Sequence, residues 1–234
     1  MKKFWGFLLV IVLMTSCGEY QSLLKSNDYN LVYKKAIEYY NKGDYQRAMN
    51  LLDGVRSVFV GQAKAQNIAY YRAFCSYNMK DYQIASDLFK QFIQTYPESS
   101  FAEECLYMMG FCDYKASPKP RLDQQVTEKA IREFQLYLSR YPYSMRKDKV
   151  NTYMDEMRDK LSYKAYLSAK NYYLREHYKA AVISLQNCLK DYPGSKYREE
   201  IMYMLFVSKY QMAVNSVEDK KVERYNNCLL YTSD

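Results

Sequence analysis

The sequence predicts an all-helical protein in which consecutive helix pairs stack on one another, so that each pair contacts mainly its neighbours. Its composition favours helices, because the 234 residues include only 7 glycines and 5 prolines and no strand-like alternation of polar and apolar residues recurs. The second observation is a repeat. Pairs of tyrosines seven residues apart occur at Tyr33/Tyr40, Tyr70/Tyr77, Tyr107/Tyr114, Tyr166/Tyr173 and Tyr203/Tyr210. These pairs predict about five related units.

The N-terminus carries a targeting signal. Two lysines precede the apolar run 4–14, which is too short to span a bilayer and is typical of a secretory signal peptide. The run ends in MTSC, which resembles the bacterial lipobox, whose cysteine is lipidated and begins the mature protein. We therefore expect a lipoprotein signal peptide at 1–16 and a lipidated linker at 17–29, with the lipid on Cys17. An ordinary cleaved signal is the alternative. By the same resemblance, Gly18 favours the outer membrane.

Each unit is predicted to be a helix, a short turn and a second helix. The turns have related sequences, NKGDYQRA, NMKDYQIA and LREHYKAA, and a Tyr-Pro dipeptide ends the second helix in three units. Small residues on both helices allow the two axes to approach closely. On the first helix these are Ala36, Ala73, Gly110 and Ala169, and on the second helix they are Ala48, Ala85, Ala130 and Ala181. The fifth unit is the exception, because it has the large Phe206 at the first-helix position.

The repeat is interrupted between the third and fourth units. The interval from Tyr107 to Tyr166 is 22 residues longer than the 37 that separate the other first tyrosines. Eight added residues fall in YKASPKPRLDQQV, which two prolines predict to be a loop, and fourteen come after Pro142 among helix formers. We therefore expect a helix lengthened by about four turns. It would begin a C-terminal lobe at 143–234 with repeats 4–5, after an N-terminal lobe at 30–142 with repeats 1–3.

The fifth unit is predicted to be incomplete. Its second helix is expected from Lys220, and no Tyr-Pro or polar capping helix follows before Asp234. Since the end of a solenoid normally carries a polar cap, we expect a truncated C-terminus.

The spacing of small residues and proline resembles the tetratricopeptide repeat. Two units keep that family's intervals, namely Ala73, Ala85 and Pro97, and Ala169, Ala181 and Pro193. The resemblance implies a right-handed solenoid whose first helices face a concave groove. Residues seven apart on a helix point in nearly the same direction, so each tyrosine pair forms a stripe suited to an extended peptide rich in aromatic residues. The alternative is that the rings only fill gaps between repeats.

Residues that carry enzyme chemistry are sparse. His177 is the only histidine and occupies a turn without a placed partner that would make it a general base. The five cysteines besides Cys17 form no C-x-x-C motif, so we expect buried free thiols rather than disulfides or a zinc site. We expect no enzymatic activity, no metal and no cofactor beyond the covalent lipid on Cys17. The net charge of +8 is interleaved with acids, which argues against nucleic acid as a partner.

The lipobox and the repeat endings QTYPESSFAEE and KDYPGSKYREE together resemble the BamD/YfiO family of outer-membrane assembly lipoproteins. The resemblance implies a non-enzymatic, lipid-anchored subunit of the β-barrel assembly (BAM) complex on the periplasmic face of the outer membrane. Its C-terminal repeats would contact the periplasmic domains of BamA, and its N-terminal repeats would recognise unfolded outer-membrane β-barrel proteins. The groove residues so implied are Tyr33, Tyr40, Tyr70, Tyr77, Tyr107 and Tyr114. The alternative is another periplasmic repeat lipoprotein, such as a coordinator of cell-wall synthesis or division.

Overall fold

The computed structural model describes the backbone of residues 18–229 and the side chains of residues 18–226. The predicted signal peptide, the predicted lipidation site Cys17 and the last residues of the expected truncated end lie outside these residues. Throughout the described part, every regular element is a helix. The all-helical fold class is therefore confirmed.

Ten helices follow a short helical segment at 18–24 in the described part of the chain. They are α1 (Tyr29–Asn41), α2 (Tyr45–Val55), α3 (Ala63–Asn78), α4 (Tyr82–Thr95), α5 (Ala102–Ala116), α6 (Gln125–Arg140), α7 (Lys147–Leu174), α8 (Tyr178–Asp191), α9 (Arg198–Val214) and α10 (Glu218–Leu229). Consecutive helices pack on each other from α1 to α5 and from α8 to α10, and α1 also contacts α3. This packing is consistent with a tetratricopeptide-like solenoid. The last helix begins at Glu218, two residues before the predicted start.

Three of the turns within the repeats share one backbone hydrogen-bond pattern. The backbone N–H of Asp44 donates to Tyr39, that of Asp81 to Ser76 and that of His177 to Tyr172, each five residues back. This bond closes the C-terminus of the first helix, and the residue that makes it is the N-cap of the second. The Asp44 carboxylate also accepts from the backbone N–H of Arg47 at 3.2 Å, a standard N-cap bond.

The residue before each of these N-caps has a positive φ. Gly43 lies at 81°, Lys80 at 68° and Glu176 at 61°, so a left-handed residue lets each chain reverse between two helices. Only the first turn uses glycine for this purpose. Lys80 and Glu176 accept a modest steric cost at the same place.

The small residues of both helices are buried. Ala36, Ala73 and Ala169 are fully buried on the first helices, and so are Ala48, Ala85, Ala130 and Ala181 on the second. At Gly110 the approach to α6 is close, because a Cβ there would lie 2.9 Å from the Phe134 ring. The predicted seam of small residues is therefore present in both halves of the chain.

The long helix α7 contains 28 residues in one uninterrupted run. It begins in the helix-forming stretch after Pro142 and continues through Tyr166 to Leu174, so it also forms the first helix of the fourth repeat. The chain divides into two compact units near the start of this helix. The first unit extends to Ser117 and includes Val126–Lys147, and the second combines Pro118–Gln125 with the residues from Asp148 onward.

Each unit has its own hydrophobic cluster. In the first, Leu51, Leu52 and Ile68 are among the buried residues around α1, α2 and α3. In the second, Tyr166, Leu185 and Met204 belong to a cluster built from α7, α8 and α9. Since these clusters share no residue, each unit buries apolar surface of its own.

Candidate functional site: the tyrosine groove of the first unit

A cavity of about 520 Å³ opens along the first helices of the repeats in the first compact unit. We call it the tyrosine groove. It is lined by Tyr33, Lys34, Ile37, Glu38 and Asn41 of α1, by Asn67, Tyr70 and Tyr71 of α3, and by Phe101 just before α5. Because these positions recur every three or four residues on α1 and α3, each helix contributes one continuous face.

Tyr33 stands at one end of the groove with its ring partly buried. It meets the Phe59 ring edge-on at a centroid distance of 6.1 Å, and the Lys64 ammonium lies 5.7 Å from the Tyr33 centroid. The same ammonium donates a hydrogen bond of 2.5 Å to the Asn30 side chain. These contacts, from the connection after α2 and from the start of α3, hold the Tyr33 ring in place.

Tyr70 stands between α3 and the start of α5. Its ring lies 4.6 Å from that of Phe101, and its hydroxyl donates a 2.8 Å hydrogen bond to the Glu104 carboxylate. Burial, followed by this bond, raises the pKa of the Tyr70 phenol well above its ordinary value. Tyr70 is therefore fixed as a neutral donor that joins two repeats and exposes part of its ring to the groove.

The other four predicted tyrosines lie outside the lining of this cavity and make aromatic contacts. Tyr40 meets Tyr71 at 4.9 Å and Tyr45 at 5.4 Å, and burial raises its pKa to about 12. The remaining three pack among rings of their own and neighbouring helices: Tyr77 against Tyr82 and Phe111, Tyr107 against Phe111, Phe134 and Tyr137, and Tyr114 against Phe111.

The six predicted residues thus divide into two classes. The structure brings Tyr33 and Tyr70 together in one groove, whereas Tyr107, only 7% exposed, is a core residue. Tyr40, Tyr77 and Tyr114 are half-buried, each packed against other aromatic rings. The packing of Tyr107 fits the alternative in which the rings fill gaps between repeats, and peptide binding by Tyr33 and Tyr70 stays a prediction.

Charges at the groove are paired on one side. The Lys35 ammonium lies 3.1 Å from the Glu38 carboxylate and 3.1 Å from that of Glu19. The bond to Lys35 lowers the pKa of Glu38, so this carboxylate stays ionised but compensated. Lys34 is exposed on the groove lining and adds a positive charge to it.

The chemistry available in the groove is that of recognition. Tyr33, Tyr71 and Phe101 offer ring faces, and the amides of Asn41 and Asn67 can each donate to and accept from a peptide backbone. A surface of this kind suits an extended peptide with aromatic side chains. Within residues 18–229, no group of three or more acidic, histidine or cysteine side chains is placed to hold a metal ion. His177 is exposed at a turn of the second unit.

Sequence reasoning missed most of the lining. Ile37 and Asn41 follow Tyr33 at intervals of four, so the helical period already placed them on the tyrosine face. Phe101 belongs to the segment QTYPESSFAEE, which the sequence marks as a repeat ending and not as a contact with Tyr70. A search for the face of each helix, rather than for tyrosines alone, would have found Ile37 and Asn41, and only the fold brings Phe101 to Tyr70.

Comparison with known protein families gives a match over most of the chain. A model of the YfiO family, described as an outer membrane lipoprotein, matches residues 25–224. No curated protein sequence matches the chain. Between residues 18 and 229, no helix is both long and apolar enough to cross a membrane.

Proposed function

The chain belongs to the YfiO family of outer membrane lipoproteins, and we propose on this basis that it is a non-enzymatic subunit of the outer-membrane β-barrel assembly complex. In this role a lipid on Cys17 anchors the repeats at the periplasmic face of the outer membrane. The periplasmic domains of BamA and unfolded outer-membrane β-barrel proteins are its partners. The family match carries this assignment, and the tyrosine groove supplies a surface for the unfolded substrate.

The groove supports substrate binding through its composition. Four aromatic rings and Ile37 offer apolar contacts, while Asn41 and Asn67 can satisfy a peptide backbone. Lys34 complements an anionic group such as a C-terminal carboxylate. An extended segment that ends in an aromatic residue would therefore use the rings, the two amides and Lys34 together.

Depletion of the protein in its host bacterium tests the assembly role. We expect outer-membrane β-barrel proteins to decrease while other envelope proteins persist, because a subunit that delivers barrels acts before their insertion. Quantitative mass spectrometry of isolated outer membranes measures this change. A defect in cell-wall synthesis or division with normal barrel levels would instead support the alternative, a periplasmic scaffold for those processes.

The groove is tested by peptide binding to the full chain. Replacing Ile37 by Asp places a charge among the rings, and we expect it to weaken binding of a barrel C-terminal peptide by at least tenfold, or about 1.4 kcal/mol. Ile84→Asp is the matched control, since Ile84 is 56% exposed on α4 and does not line the groove. Equal peptide affinity in both variants would remove the groove from substrate recognition.

A further inference from the structure

The insertion in the third repeat folds into a defined turn at 118–124, which we call the basic turn. The backbone N–H of Leu122 donates to the Lys119 carbonyl at 3.0 Å. Pro120 follows Lys119 directly, as is common at the second position of a β-turn. The two residues at the tip of this turn are therefore Pro120 and Arg121.

Two side chains hold the basic turn in place. Gln124 is 4% exposed, and its amide nitrogen donates to the Lys119 carbonyl at 2.8 Å and to the Leu122 carbonyl at 3.1 Å. The Lys164 ammonium of α7 donates to the same Leu122 carbonyl at 2.8 Å. The turn is thus fixed against α7 before any ligand arrives, which lowers the entropic cost of binding at its tip.

A cavity of about 590 Å³ lies beside the basic turn in the second compact unit. We call it the basic pocket. Arg121 lines it from the turn, and α7 contributes Lys164, Leu167, Lys170, Asn171 and Leu174. The residues from α7 recur at intervals of three or four along one face of the helix. The insertion therefore adds a cation to a face that α7 already presents.

The charge of the basic pocket is positive and only partly compensated. No acidic residue is among those that line it. The Lys170 ammonium lies 2.7 Å from the Glu200 carboxylate, so this cation is paired. Lys164 bonds to a neutral carbonyl, and Arg121 is exposed and forms no ion pair with any residue that the structure describes. Two positive charges thus remain available to an anionic ligand.

The other lining residues indicate which kind of anion fits. A guanidinium binds a carboxylate through two parallel hydrogen bonds, and an ammonium that already makes one bond keeps two further donors. Leu174 is 66% exposed and offers apolar contact, while the Asn171 amide can donate to and accept from a peptide bond. Because the pocket is concave, it suits a side chain better than a flat lipid surface.

We propose that the basic pocket binds an extended segment of a partner protein in which an acidic side chain lies next to an apolar one. Arg121 and Lys164 pair with the carboxylate, Leu174 contacts the apolar neighbour and Asn171 bonds to the peptide backbone. The pocket shares no residue with the tyrosine groove, and the inference does not depend on the proposed assembly role.

Peptide binding to the full chain tests the proposal. The probe is a fluorescein-labelled hexapeptide of alternating glutamate and leucine with an amidated C-terminus, and its binding is measured by fluorescence anisotropy. We expect saturable binding, and a loss of at least tenfold on Arg121→Glu. A second peptide with glutamine in place of each glutamate is expected to bind at least tenfold more weakly, because it lacks the carboxylates.

Lys119→Glu is the matched control, since it makes the same change of charge on the same turn at an exposed residue that does not line the pocket. We expect it to change the affinity less than about twofold. Both substitutions are at exposed positions, and circular dichroism checks that both variants keep the helical content of the unmodified chain.

Three results would overturn the proposal. The first is no saturable binding of the peptide up to about 1 mM. The second is an equal loss in Arg121→Glu and Lys119→Glu, which would show attraction by net charge without a site. The third is binding to vesicles of phosphatidylglycerol and phosphatidylcholine that Arg121→Glu abolishes, without binding of the peptide, which would assign the pocket to a lipid headgroup. Since the assay contains neither BamA nor a barrel, none of these results bears on the assembly role.

Discussion

Glu133 is a carboxyl buried among other charges in the first unit. It is 8% exposed, and its Oε2 has no hydrogen-bond partner in the described part of the chain. The Lys129 ammonium lies 3.6 Å from Glu133 Oε1 but only 2.8 Å from Asp113 Oδ2, and Ser86 donates to the same Asp113 oxygen at 3.0 Å. Lys129 therefore compensates Asp113 first. Burial, followed by contact with Asp113, raises the pKa of Glu133 to about 8.

This raised pKa makes the stability of the first unit depend on pH. Between the ordinary glutamate pKa of 4.5 and about 8, the folded state holds a proton that the unfolded state releases, so stability falls as pH rises through this window. Glutamine is neutral at every pH and can donate as the protonated acid does. We expect the stability advantage of Glu133→Gln over the unmodified chain to be smallest at pH 5 and to grow by on the order of 3 kcal/mol towards pH 8.

Urea unfolding followed by circular dichroism at pH 5, 6.5 and 8 measures the difference. Glu128→Gln is the control on the same helix, because Glu128 is exposed and its substitution should leave the pH dependence unchanged. A Glu133→Gln curve parallel to that of the unmodified chain at all three pH values would show that Glu133 is ionised in the folded protein.

At the scale of the elements, the sequence predicted most of what local chemistry determines. The second helices end at Thr95, Arg140 and Asp191, each just before a Tyr-Pro dipeptide, since proline cannot continue a helix. The Asp-Tyr and His-Tyr pairs mark the N-caps of α2, α4 and α8. These features depend on neighbouring residues and are legible in one repeat.

The tyrosine pairs were harder to interpret because their environments depend on the next repeat. Tyr33, Tyr70 and Tyr107 occupy equivalent positions on their helices, yet two line the groove and the third is buried. The contact made by the next repeat differs among them. It comes from residues more than thirty positions further along the chain, namely Lys64, Phe101 and Arg146, respectively. Spacing alone predicts a common face, and contacts between repeats then divide its members.

The sequence alone also failed to predict two of the left-handed turn residues and the carboxylates that accept tyrosine hydroxyls. Gly43 signals a positive φ, but Lys80 and Glu176 adopt it without any such mark in the sequence. Adjacent acids such as Glu103 and Glu104 are typical of solvated helix faces, whereas Glu104 accepts the Tyr70 hydroxyl and Glu103 accepts that of Tyr137 at 2.9 Å. A charged pair at a helix start is therefore also a hydrogen-bond acceptor for tyrosines of the neighbouring helices.

On the scale of the whole molecule, the two units have separate cores, and the long helix α7 lies almost entirely in the second. In a solenoid, stability is approximately a sum of repeat terms and nearest-neighbour terms, so a local loss should spread only to adjacent repeats. Leu185 is fully buried in the cluster of the second unit, and Leu52 is fully buried in that of the first. These two leucines provide a matched pair for testing how far unfolding spreads.

Leu185→Ala removes buried methyl groups and leaves a cavity, a change that costs about 2–5 kcal/mol in well-packed cores. We expect amide hydrogen exchange, measured by mass spectrometry, to accelerate in α8, α9 and the C-terminal half of α7 while α1–α4 keep their protection. Leu52→Ala should give the reverse pattern, with faster exchange in α1–α3 and none of the acceleration in α8 and α9. If either substitution instead raised exchange uniformly along the chain, the units would open as one cooperative body, because local opening reports the size of the cooperative unit.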